Sequence, residues 1–307
     1  MTVVAQRSVP SAPADPPAPA AGPAGPPSVL STFLTSATAV LAMLLLGFVA
    51  TVVVLGPVTH ARAQSVQYQD LRRQLANSVA PTGQLDATGQ PLALGDPVAL
   101  LQIPAIGLRE VVGEGTTSGV LMDGPGHRRD TPLPGQAGIA VVMGRQATYG
   151  GPFGKLHDLK PGDQITATTG QGRQQFQVTG VRHAGDKLTI KDVNASHLML
   201  VTGGGTPYLS SSVLYVDADL VGKPQPAAAR TISTALLSKG EQQMVGDKGA
   251  LLPLLLWSQL LLLVVGGVTW LRSSWAKWQA WVVAVPVIGI VGYHVDTLVA
   301  QLLPNLL

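Results

Sequence analysis

Three long apolar stretches constrain this chain more than any other feature. Residues 33–55 (FLTSATAVLAMLLLGFVATVVVL) and 250–271 (ALLPLLLWSQLLLLVVGGVTWL) carry no charged side chain, and residues 279–303 hold only His294 and Asp296 as candidates for charge. An α-helix rises about 1.5 Å per residue, so each stretch is long enough to cross about 30 Å of hydrocarbon. Inside lipid the backbone must satisfy its own hydrogen bonds, which makes each a transmembrane helix. The first, with flanks taken as residues 29–57, is too long and too far from Met1 for a cleaved signal peptide and reads as a signal-anchor. A charged fraction of 12% and a mean hydropathy of +0.30 agree with a chain that lies partly in a membrane.

Orientation follows from the loop joining the last two spans. This loop, residues 272–278 (RSSWAKW), is short and carries Arg272 and Lys277, so the positive-inside rule puts it in the cytoplasm. Trp270, Trp275, Trp278 and Trp281 cluster around it as an interfacial belt. The expected protein is therefore a three-pass protein of the plasma membrane. Its N-terminus is cytoplasmic and everything between the first two spans is extracellular. The flanks of the first span are ambiguous, because Arg62, Arg72 and Arg73 follow it and only Arg7 precedes it.

Residues 1–28 are rich in Pro and Ala, lack the apolar content of a core, and read as a disordered cytoplasmic tail. Residues 58–97 read as an extracellular stalk whose first part, 60–79, is a polar helix. Residues 98–221 change character. Short β-like runs (VALLQIP, IAVVMG, DQITATT, QFQVTGVRHA, LMLVTG, SVLYVDADL) alternate with Gly, Pro and Asp. That spacing points to a mainly β fold, a barrel or sandwich. Residues 222–249 form a polar linker.

Within 98–221, three segments carry a resemblance. They are LQIPAIGLREVVGEGT, LMDGPGHRRDTPLPGQAGIAVVMGRQATYGGPFGKLHDLKPGD and LMLVTGGGTPYLSSSVLYVDADL. In order and spacing they resemble the sortases, cysteine transpeptidases that attach surface proteins to the wall of Gram-positive bacteria. The resemblance implies a closed sortase-like β-barrel, flanked here by one N-terminal and two C-terminal transmembrane helices.

The family's chemistry requires a cysteine thiolate that attacks the carbonyl of a sorting signal. It also requires a histidine that handles protons and an arginine that stabilises the oxyanion. None of the three is present. The family's histidine position is Arg145, within Gly144-Arg145-Gln146; its cysteine position is Gly203, after Thr202; its arginine position is Val213, give or take one residue. The whole chain contains no cysteine, which also excludes disulfides and thiolate metal sites. Glycine offers no nucleophile, and arginine stays protonated near neutral pH. The expected function is that of a catalytically inactive domain acting as a binding or scaffold module. Its partner would be a surface protein, a sorting-signal peptide or a cell-wall component.

Two alternatives stand beside this. A replacement hydroxyl among Thr202, Ser210, Ser211 and Ser212, with an imidazole from His127, His157, His183 or His197, would make a transpeptidase or hydrolase. Alternatively the C-terminal helices, with Gly266, Gly267 and Gly289 as small packing faces, would make the chain a subunit of a membrane assembly. The candidate cleft comprises Arg145, Gln146, Thr202, Gly203, Ser212 and His127. Arg145 is either a fixed cation for a carboxylate or phosphate, or a solvated loop residue. His294 and Asp296 sit toward the outer interface of the last span, or pair with Gln259 or a partner helix. The sequence calls for no cofactor and no metal, since His157, Asp158 and Asp163 make no ligand set. With pI ≈ 9.3 but no basic run, it calls for no nucleic acid. Asn194 opens a glycosylation sequon.

Overall fold

The computed structural model describes residues 38, 42 and 44–307, except 87, 188–191, 193–194, 229–230 and 275–276, and along 269–281 only the backbone. Asn194 and the expected tail 1–28 lie outside the described residues, as do the interfacial tryptophan side chains.

Eight strands close into a barrel. They are β1 (Pro97–Ile103), β2 (Leu108–Glu114), β3 (Gly126–His127), β4 (Gly138–Met143), β5 (Gln164–Thr169), β6 (Gly172–His183), β7 (Ser196–Gly204) and β8 (Ser212–Leu220). Their order around the wall is β1-β2-β3-β4-β7-β8-β6-β5, closed by β5 on β1. The β2–β3 and β4–β7 pairs are parallel and the rest antiparallel. The inward rows are supplied by strand alternation: Ala140 and Val142 on β4, Leu198 and Leu200 on β7, Leu214 and Val216 on β8, with Phe153 and Phe176 filling the centre. The expected mainly β closed barrel is what forms.

Alternation shows which walls face water. β6 alternates buried and exposed residues from Gln174 to Thr179, so its outer face is solvated. β7 is buried almost throughout, so something covers it from outside. Its outer face and that of β4 and β8 form a second apolar cluster of Val141, Met143, Val201 and Val213. Leu121 caps this cluster from α2 (Ser118–Asp123), and Leu306 caps it from the far end of the chain.

Three helices are long and apolar enough to cross a membrane: Leu44–Ala76, Lys248–Val268 and Val282–Leu302. The first, α1 (Leu44–Ala76), includes a π-helical stretch at Thr51–Leu55 and runs on through Gly56–Ala76 without a break. Its polar half does not stand free. Gln64 Oε1 accepts from Val111 N at 2.7 Å, and Gln64 Nε2 donates to Val111 O and Asp123 O at 3.1 and 2.9 Å. His60 meets Glu110 at 3.3 Å, and Leu71 is buried. The residues read as a polar stalk are thus docked along β2. Gln64→Ala leaves the Val111 pair without its partner and is expected to loosen this contact by about 1–3 kcal/mol, read as faster amide exchange at Val111.

The other two helices, α3 (Leu251–Ser274) and α4 (Lys277–Leu302), form a hairpin. Asp296 is tied to α1, accepting from Thr51 Oγ1 at 3.1 Å, and His294 stacks on Trp257 at 4.5 Å. The partners are therefore Thr51 and Trp257, not Gln259. A Cβ added at Gly267 or Gly289 meets nothing within 4 Å among the described residues.

His127 is buried in the barrel wall. Its Nδ1 lies 2.8 Å from Glu114 Oε2 and its Nε2 lies 3.0 Å from Pro132 O, with both side chains 1% exposed. Burial pushes the imidazole down, but the Glu114 carboxylate and the Pro132 carbonyl outweigh it and hold the pKa above its ordinary value. A raised folded value means that this stabilisation is complete below about pH 6.5 and fades as pH rises through the folded value. Thermal melts across about pH 6 to 9 are therefore expected to show wild type losing stability relative to His127→Gln as pH rises. A constant difference would sink the pairing.

Candidate functional site

The site lies where β4 and β7 end beside the start of β8. Met143 pairs with Val201, and Gly144 N donates to Val201 O at 3.0 Å, which carries the chain on to Arg145 and Gln146 beside the end of β7. Gly203 pairs with Val213 and Gly204 with Ser212 across the β7–β8 ladder. The structure thus brings Arg145, Gln146, Thr202, Gly203, Ser212 and Val213 to one end of the barrel. It leaves His127 apart, in its own pair with Glu114.

Arg145 is not a solvated loop residue: it is 1% exposed. Its Nη2 donates to Ser118 Oγ at 2.8 Å and Ser118 O at 3.1 Å, and its Nη1 donates to Thr148 Oγ1 at 3.0 Å. The guanidinium carbon sits 5.3 Å from the Tyr149 ring centroid. Burial pulls its pKa down to about 10, which still leaves it charged at neutral pH. Burial likewise holds the Tyr149 phenol above its usual value, and the Arg145 charge only partly opposes this. The cation is spent on the protein's own hydroxyls, a carbonyl and a ring.

Thr148 passes the contact onward. Its Oγ1 donates to the main-chain oxygen of Leu307 at 2.6 Å, and its N donates to the same atom at 3.4 Å. Gln146 N donates to Leu306 O at 3.0 Å. Residues 303–307 therefore lie along the end of β4, over the outer face that the second apolar cluster covers. At Gly203, a Cβ would stand 2.9 Å from Leu306 O and 2.6 Å from Ser210 Oγ. The main chain of the tail approaches position 203 more closely than a side chain there allows.

A cavity of about 300 Å³ opens beside this contact, lined among others by Gln146, Phe153, His157, His183, Thr202 and Pro207. Thr202 Oγ1 faces this region, buried and without a hydrogen-bond partner. His157 and His183 line the same cavity, and neither is hydrogen-bonded to that oxygen. Ser210 Oγ donates to Gly204 O at 2.7 Å and Ser212 O at 3.1 Å, which pins the turn before β8. Neither hydroxyl stands against a base held by a third group, the arrangement an activated hydroxyl needs.

Sequence reasoning missed Ser118, Thr148, Asn305 and Leu306. Each is an ordinary residue whose role exists only through a partner far away in the chain.

Residues 101–221 match the family model described as Sortase domain. Among solved structures, the chain is similar to a sortase D5 transpeptidase from Clostridium perfringens, at 21% identity and TM-score 0.44. That alignment covers 52% of this chain and 99% of the other. A lid mutant of sortase A from Corynebacterium diphtheriae aligns at 23% identity and TM-score 0.39, over 52% of this chain and 95% of that one. A mutant of sortase E from Streptomyces avermitilis aligns at 29% identity and TM-score 0.37, over 49% and 99%. No curated protein matches.

Proposed function

Because the barrel at residues 101–221 belongs to the sortase family, we propose that this chain is a membrane-anchored sortase domain that has given up catalysis and works by binding. The observation that carries the reading is the fate of the family's three working positions. One is a buried structural arginine, one a glycine without room for a side chain, and one a valine. A transpeptidase needs a nucleophile, a proton carrier and a charge stabiliser converging on one carbonyl. Arg145 cannot shuttle protons near neutral pH, Gly203 has nothing to attack with, and Val213 donates no hydrogen bond.

The partner is a peptide or protein at the cell surface. The barrel retains a cleft at the strand ends, and three candidate spans hold it at the membrane. With Arg272 and Lys277 in the cytoplasmic loop, the barrel faces outward. Because the chain has no native cysteine, single cysteines at Lys223 and Ser274 can test this topology in whole cells with an impermeant maleimide. Labelling at Lys223 alone is expected, and labelling at Ser274 alone would reverse the orientation.

Inactivity is tested with the full chain in detergent. The chain is incubated with peptides resembling sorting signals and an amine acceptor, and cleaved, joined and retained peptides are read by mass spectrometry. The expected result is no cleavage and no joining. Turnover that disappears on Thr202→Val or Ser210→Ala would establish a replacement hydroxyl and sink the inactive reading.

A further inference from the structure

The outer face of β4, β7 and β8 is covered by the chain itself. We propose that residues 303–307 are the resident occupant of this groove. They form a self-peptide, delivered by the last membrane helix, that bars outside peptides from the groove until it is displaced. This deepens the binding reading above and rests on it.

The seat is built at Asn305, Leu306 and Leu307. Asn305 is fully buried, and its Nδ2 donates to Gln242 O at 2.8 Å, Thr116 O at 3.0 Å and Gly240 O at 3.4 Å. Its backbone N donates to Val245 O at 3.3 Å. Leu306 is fully buried among Val141, Met143, Val201 and Val213. Its carbonyl oxygen accepts from Gln146 N, and it lies where a side chain at position 203 would begin. The main-chain oxygen of Leu307 takes two hydrogen bonds from Thr148, which is in turn bonded to Arg145. The tail thus presents a peptide carbonyl to the position from which the resembled enzymes would attack one. It does so with its apolar side chain in a pocket and with the Asn305 amide nitrogen and the Leu306 and Leu307 main-chain oxygens hydrogen-bonded.

The tether makes this occupancy strong. α4 ends at Leu302, and Asp247 N donates to Gln301 O at 2.8 Å, so the helix end is fixed against the segment before α3, one to five residues from the seated tail. A segment held a few residues from its site acts at an effective concentration of about millimolar or more. A free peptide with the same contacts must exceed that to enter. The fitting competitor is chemically alike: a short stretch with a buried amide side chain followed by an apolar residue.

The test uses the full chain in detergent and a fluorescent synthetic peptide of residues 301–307. Wild type is expected not to bind it. Leu306→Asp, which cannot seat its side chain in the apolar pocket, is expected to bind it at least tenfold more tightly. Equal binding by the two chains, or no binding by a variant whose melt shows it folded, would overturn the proposal. A second measurement does not depend on that variant folding. Gln146→Cys and Leu307→Cys in the otherwise cysteine-free chain should be joined by a short bismaleimide, and their failure to join would overturn it too. Peptide transfer by the Leu306→Asp chain would sink the inactive reading while leaving the resident tail standing.

Discussion

Arg145→Ala is expected to destabilise the barrel by about 3 kcal/mol, whereas Arg145→Met is expected to be far milder. The reason lies in what each change leaves behind. Alanine opens a hole among Ser118, Thr148 and Tyr149 and leaves the Ser118 carbonyl and both hydroxyls without their donor. Methionine refills much of the volume and removes the cost of burying a cation for which no acidic partner is at hand among the described residues. Denaturant unfolding of the three chains measures the difference. Two near-neutral variants would mean that Arg145 is solvated and the buried network is wrong. Both variants lose the same donors, so an Ala variant no worse than the Met variant would mean that the hole left by the side chain costs nothing.

The second large effect concerns Gly203. Restoring the family's residues as Arg145→His, Gly203→Cys and Val213→Arg is expected not to restore peptide transfer in the intact chain. A Cβ at 203 stands 2.9 Å from a main-chain oxygen of the tail, and backbone yields less readily than a side-chain tip. Gly203→Ala alone is therefore expected to cost about 1–3 kcal/mol by overpacking, or to push residues 303–307 out of the groove. Unfolding curves measure the first outcome and limited proteolysis of the tail the second. Wild-type stability with a protected tail would remove the close approach on which this rests. Transfer by the triple variant would show that only side chains, and not groove access, had been lost.

These predictions share one geometric cause: β4 and β7 are buried on both faces where their ends meet. On the inward face this was legible from the sequence. Ala140 and Val142, or Leu198 and Leu200, alternate as strand residues that face a core must. On the outward face Val141, Met143 and Val201 were legible as apolar, and nothing nearby said what covers them. The cover is Leu306, more than a hundred residues away and on the far side of two membrane helices. The same holds for the polar half of α1. Its composition reads as a free stalk, but Gln64 and His60 have partners on β2 that no helical periodicity encodes.

Sequence alone determined the three apolar spans, because hydrocarbon thickness and backbone hydrogen bonding leave such stretches one fate. It determined the mainly β class of residues 98–221, because strand alternation and turn residues are local, while closure into a barrel was seen only in the structure. It also determined that no thiolate nucleophile is available, because a chain without cysteine shows this without coordinates. Only the tertiary structure decided that Arg145 is buried, that Thr148 links it to the tail, and that residues 303–307 fill the groove. Those facts depend on pairs such as Arg145 with Ser118, Thr116 with Asn305 and Gln146 with Leu306. Each pair joins ordinary residues across long stretches of chain, and its energy exists only once the barrel and the membrane hairpin have been brought together.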